Sequence, residues 1–226
     1  MDVRQILLAR AIQTFRVLGT TGYLPEIAQK INDRYEFVSR PKNEELLPPA
    51  EDAGQLKGAE FKHGRVRRTD GRVVIVHQLT LFNDGVVVDT TTSTDDSDLI
   101  LDDLAHWAKS EIRDLTLLRP RLYVSQLEIQ AAFAVENYAP AFGSLGQRIS
   151  TFLTDYGSDI SPYQVSAVTL NFDQIGKVPP HPGFFQIERR LNAPFKDNMW
   201  FAQAPLKTND HVALLNDLEV GLNHKL

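Results

Sequence analysis

Two histidines, His63 and His77, flank the triplet Thr69-Asp70-Gly71 in a run of β-favouring residues. If that triplet is a type I turn closed by Gly71 at positive φ, Arg68 pairs with Arg72. His63 then lies opposite His77, with Cβ atoms about 5 Å apart. Imidazoles so placed can share a metal ion, provided a third ligand and an orienting shell exist. A second triplet, Asn83-Asp84-Gly85, read the same way sets Asp89 opposite Leu79, diagonal to His77, which makes Asp89 the candidate third ligand. The competing reading is a mixed polar patch on a half-buried sheet. It is the one adopted, and no metal or other cofactor is expected.

The same hairpin carries Lys57, Lys62, Arg65, Arg67, Arg68 and Arg72 against only Glu60 and Asp70, in a chain of net charge -5. A positive end on an acidic protein can dock an acidic surface or enter a nucleic-acid groove. A solvated tip that discourages edge pairing would look the same. Aromatic residues are sparse there, which disfavours base stacking. Strand alternation sends Arg189 to the opposite face from Glu188 and Arg190, and an inward arginine calls for an anion or an acidic partner. The candidate partner-binding residues are therefore Lys62, Arg65, Arg67, Arg68, Arg72 and Arg189.

Five acids, Asp95, Asp96, Asp98, Asp102 and Asp103, could hold a hard cation. Their positions suit a first helical turn and a solvated helix face instead. Pro179-Pro180-His181-Pro182-Gly183 reads as a stiff connector, and Gly143 and Gly146 as close-packing positions in a helix. Trp107 and Trp200 are assigned to core. No phosphate loop, dinucleotide fingerprint, His-Glu-x-x-His or Gly-x-Ser-x-Gly motif is present. Without cysteine, thiolate nucleophiles and sulfur-ligated metals drop out.

These residues need elements to hold them. Gly58 to Ser93 reads as a three-stranded antiparallel meander, and Thr94-Asp95-Asp96-Ser97 offers capping oxygens for a helix through Ile100, Leu104, Trp107, Ala108 and Ile112. Later, Leu122 to Gln130 alternates as a strand and Pro140 to Tyr156 reads as a helix. Strands are expected over Tyr163 to Asp173, Phe184 to Arg190 and Met199 to Leu206, with a last helix from about Asn209. A shift of 114 residues lays Thr94, Asp96, Leu101, Asp103 and Leu104 on Thr208, Asp210, Leu215, Asp217 and Leu218. At nearly that offset Tyr23-Leu24-Pro25 meets Tyr138-Ala139-Pro140, both at helix starts.

The expected fold is α+β, a tandem duplication of a βαβββα unit with antiparallel sheet covered by helices on one face. In shape alone this resembles helix-grip and TATA-binding-protein-like folds. The first unit spans 1–116, opens with a strand over Ile6 to Gln13 that could also be helical, and carries an inserted Pro-rich loop at 40–56. The second spans 117–226, packed with the first as one body. Arg4, Arg10 and Arg16, with no acid over residues 3 to 25, have the composition of an organelle presequence. The default expectation is the cytoplasm, with no membrane partner, since no apolar run nears the roughly 20 residues needed to span a bilayer.

The functional expectation is a non-enzymatic binding or assembly protein, a subunit or adaptor that engages a protein partner or its own copy through sheet edges or the basic hairpin 57–72. Two alternatives stand beside it. One is a small-ligand receptor or enzyme with a site between sheet and helices, using His77, Asp89, Arg189 or Gln186. The other is nucleic-acid binding through the hairpin.

Overall fold

The computed structural model describes residues 1–17, 25–42, 58–68, 70–112, 114–118, 120–133, 135, 140–157, 163–175 and 180–223. Lys57, most of the Pro-rich loop, Tyr23-Leu24, Tyr138-Ala139 and Pro179 lie outside them.

A strand rich in alternating apolar residues, β1 (Asp2–Val17), runs through the middle of a nine-stranded sheet. Helix α1 (Pro25–Tyr35) follows, then the meander β2 (Ala59–Arg67), β3 (Val73–Leu81) and β4 (Gly85–Thr90), then helix α2 (Thr94–Glu111). A short strand β5 (Leu115–Leu117), which nothing in the residue pattern announces, pairs with the end of β1. The second half repeats the order: β6 (Leu122–Gln130), α3 (Pro140–Asp155), β7 (Ala167–Leu170), β8 (Phe185–Arg189), β9 (Met199–Ala204) and α4 (Thr208–Asn223). All pairings are antiparallel, in the order β2-β3-β4-β1-β6-β9-β8-β7. Each half thus places its first strand at the centre and its second at an outer edge, and β1 meets β6 with Arg10 opposite Val124.

Strand alternation decides what is buried. Ala9 and Ala11 on β1 share a face with their partners Thr90 and Val88 on β4, and with Ser125 and Tyr123 on β6. The first core lies on that face under α1 and α2, with Ile31, Tyr35, Phe61, Val76, Leu79, Val88, Ile100 and Leu101 almost fully buried. The second lies beside it under α4, where Leu127, Ile129, Ile187, Trp200, Ala202 and Leu215 have no more than 1% of their surface exposed. Trp200 fills core as assigned, its Nε1 donating to the Ala131 carbonyl at 3.0 Å, while Trp107 packs half-buried against the first core. The opposite face is mixed: Arg10 pairs with Asp89, Gln126 with Gln203, Glu128 with Arg190 and Gln186 with Glu188, among half-buried Leu8, Ile12, Val87, Val124 and Phe201.

At the centre of the helical face small side chains line the seam between the halves. Ala9, Thr90, Ser97, Ser125 and Ala204 are each wholly buried. Their size lets the starts of α2 and α4 reach the sheet, where Ser97 Oγ donates to the Ala9 carbonyl at 2.8 Å. Ser93, one residue before the expected capping run, is the N-cap of α2 and accepts from the Asp96 amide. Thr94 does something else. Its Oγ1 accepts from the Thr208 amide at 2.8 Å, and the Thr208 Oγ1 accepts from the Thr94 amide at 3.1 Å. Each helix thereby satisfies a donor that the other leaves orphaned at its N-terminus. Asn209 Nδ2 donates to Asp95 just outside this pair. Residues 94 and 208, matched by the sequence shift, face each other across the seam.

Candidate functional site: the basic groove at the β2–β3 hairpin

The first hairpin has the register expected of it. Arg68 donates its amide to the Arg72 carbonyl at 2.8 Å, and Gly71 takes φ +84°. His63 and His77 consequently face each other, ring centroids 5.4 Å apart and nearly perpendicular. His63 adopts φ +57°, so the ladder skips this pair and resumes at Gly64 opposite Val76. Gly64 is required there, because a Cβ would lie 2.5 Å from the Phe37 ring. Both strands change the face they present at this point. Phe61 is buried before it, and Gly64 after it.

Asp89 does not join the imidazoles. Gly85 lies inside β4 rather than at a positive-φ turn position, so the second hairpin has a shorter loop and Asp89 falls opposite Gln78, not Leu79. Its carboxylate is held in two parallel bonds by Arg10, from Nε at 2.7 Å and Nη2 at 2.8 Å. Among the described residues no group of three or more His, Asp or Glu side chains is placed to hold a metal.

Beyond the histidines the hairpin edge, the C-terminal end of α1 and the outer side of α2 enclose a groove of about 550 Å³. Arg34, Tyr35 and Glu36 line it from one side, Arg65, Val66, Arg67, Arg68 and Val73 from the hairpin, and Leu99 and Asp103 from α2. Its charges are partly matched. Arg34 grips Asp103 through two bonds, and the Tyr35 hydroxyl donates to the same carboxylate at 2.8 Å. Burial of Asp103 works against ionisation, yet the bonds from Arg34 and Tyr35 hold it below the usual carboxylate range. Burial, joined by that charged neighbour, pushes the Tyr35 phenol upward. Arg65 pairs with Glu36, and Arg68 reaches Asp96 at 2.6 Å. Arg67 is exposed and makes no ion pair among the described residues. Across the ladder Val73 faces Arg67 and Ile75 faces Arg65, and these two apolar residues are 50% and 51% exposed.

The other basic candidates do not line the groove. Lys62 pairs with Glu60 along β2, and Arg72 folds back on Asp70 in the turn. Arg189 is inside the second half, 7% exposed, with its guanidinium 4.7 Å from the Phe195 ring centre and 4.4 Å from that of Trp200. Its Nη1 donates to the Phe195 carbonyl at 3.1 Å. The inward arginine predicted from alternation is real, and among the described residues it meets the Phe195 and Trp200 rings and the Val165 and Phe195 carbonyls. Among the described residues His77, Asp89, Arg189 and Gln186 do not converge: His77 is exposed, Asp89 and Gln186 sit on the face opposite the cores, and Arg189 is on the buried face.

The aspartates of α2 are more connected than a solvated face requires. Asp98 accepts from Arg121 Nη1 and Lys207 Nζ, each at 2.7 Å, and from the Tyr123 hydroxyl at 3.0 Å. Burial alone would raise its pKa, but the Lys207, Arg121 and Tyr123 bonds outweigh it and lower the value. Asp102 takes the other Arg121 nitrogen. This network ties α2 to the β6 region and to the start of α4. Its partners are far apart in sequence, and only the separate charges were visible beforehand.

No family model matches the chain, and neither a curated protein nor a solved structure matches it. No helix among the described residues is long and apolar enough to cross a membrane.

Proposed function

We propose that the protein is a non-enzymatic binding or assembly component, a subunit or adaptor that takes an acidic segment of a protein partner into the basic groove. The observation carrying this reading is the convergence of Arg34, Arg65, Arg67 and Arg68 on one groove in a chain of net charge -5. Exposed Val73 and Ile75 beside Arg67 and Arg65 add an apolar strip. An extended chain bearing alternate acidic and apolar side chains complements such a strip, because charge steers it in and apolar contact retains it. The groove rests on a body that we read as a tandem duplication of a βαβββα unit in a helix-grip-like arrangement. The repeated strand order and the reciprocal Thr94–Thr208 bonds support that reading.

Fluorescence anisotropy with a labelled Glu-rich peptide containing interspersed leucines tests the function. Binding should weaken about tenfold in an Arg65→Ala/Arg67→Ala variant, two exposed charges each contributing up to about 1 kcal/mol. It should also fall as salt rises. Equal affinity in the variant would refute the groove. Tighter binding of a labelled oligonucleotide than of the peptide would move the function to nucleic acid, the reading favoured by a protruding basic hairpin alone.

A further inference from the structure

Helix α3 turns its long apolar side chains outward. Phe142, Leu145, Ile149, Phe152 and Tyr156 recur at spacings of three and four, which places them along one stripe roughly 21 Å long. In an amphipathic helix such a stripe normally faces the core. Here Phe142 is 63% exposed, Leu145 52%, Phe152 46% and Tyr156, one residue past the helix end, 76%, with Ile149 half-buried between them.

The side that meets the chain segment at Tyr163 is built from small residues. Gly146 is buried, and a Cβ there would come within 2.6 Å of the Tyr163 carbonyl oxygen. Ser150 Oγ accepts from the Tyr163 amide at 3.0 Å. This close seat fixes how the helix is rotated, and the rotation leaves the stripe outside. Among the described residues none of α3 belongs to the second core, whereas α1, the corresponding helix of the first half, gives Ala28, Ile31 and Tyr35 to its own.

The charges beside the stripe indicate what covers it. Arg148 and Asp155 lie seven residues apart on the same flank, opposite the flank occupied by Gly146 and Leu153. Arg148 stands over the Phe152 ring, 5.6 Å from its centre. When two such helices run antiparallel, like flanks meet. Arg148 of one then approaches Asp155 of the other, and the reverse pair forms by symmetry. A parallel arrangement would bring this flank against Gly146 and Leu153 and satisfy neither charge. We propose that α3 is the interface for a second copy of this chain, the two helices packing antiparallel through Phe142, Leu145, Ile149, Phe152 and Tyr156. The contact is isologous, as two-fold dimers require. Its short length places it among small interfaces that dissociate on dilution.

Sedimentation equilibrium of the full chain, with far-UV circular dichroism to confirm folding, tests this. The wild type should show a monomer–dimer equilibrium, and Leu145→Glu should weaken it about tenfold or more. Arg148→Asp and Asp155→Arg should each weaken dimerisation, while the double variant carrying both restores it. A wild type that stays monomeric at the highest workable concentration would overturn the proposal, as would a dimer indifferent to Leu145→Glu. Failure of the double variant to recover would overturn the antiparallel pairing.

Discussion

His211 sits in the first turn of α4 with no exposed surface, and neither ring nitrogen has a hydrogen-bond partner among the described residues. The Phe185 ring lies edge-on, 6.4 Å from it. Burial lowers the pKa of this imidazole to about 4, from an ordinary value of 6.5. In the unfolded chain His211 takes a proton near pH 6.5, and in the fold it resists until about pH 4. The unfolded state therefore binds more protons between these values. The contribution of neutral His211 is fully present above pH 6.5 and is lost as pH falls toward 4, by roughly 3 kcal/mol in total. Urea unfolding at pH 7.5 and pH 5 should show this loss in the wild type and a much smaller one in His211→Leu. An identical pH dependence in the two proteins would show that other groups set it.

The helix starts α2 and α4 are joined by two reciprocal threonine bonds in a buried seam. Removing either hydroxyl leaves a buried amide without its acceptor, so Thr94→Ala and Thr208→Ala should each cost about 1 to 2 kcal/mol. Because the two bonds share one geometry, the double variant should cost measurably less or more than the sum of the single losses in chemical denaturation. Strict additivity would mean that the helices are anchored independently.

Elements were legible in the residues wherever period and turn chemistry agreed. Leu122 to Gln130 alternates and forms β6 over those residues, and Gly71 at positive φ fixes the register that brings His63 to His77. The second hairpin misled because Asn83-Asp84-Gly85 has the same letters as a bulged turn, while its glycine is used inside β4, 3.3 Å from the Gln13 carbonyl for an added Cβ. The groove was half visible. Its arginines cluster in sequence, but Arg34, Tyr35, Leu99 and Asp103 reach it through tertiary folding alone. The rotation of α3 could not be read at all, since an apolar stripe looks the same whether it faces a core or a partner.

For the whole molecule, one continuous sheet carries two cores on one face and a mixed polar and apolar face opposite. The groove belongs to one outer end, at β2 and β3, and α3 belongs to the other half. A dimer joined through α3 would therefore keep both grooves available and present two of them to a partner. Two linked weak sites bind a repetitive acidic chain far more tightly than either alone, if the chain spans them.

Amide chemical-shift mapping with the Glu-rich peptide locates the binding surface residue by residue. Shifts should group at residues 34–36, 64–68, 73–75, 99 and 103, with the sheet face opposite the cores unmoved. Shifts centred on that opposite face, or none at saturating peptide, would rule out the groove as the binding site.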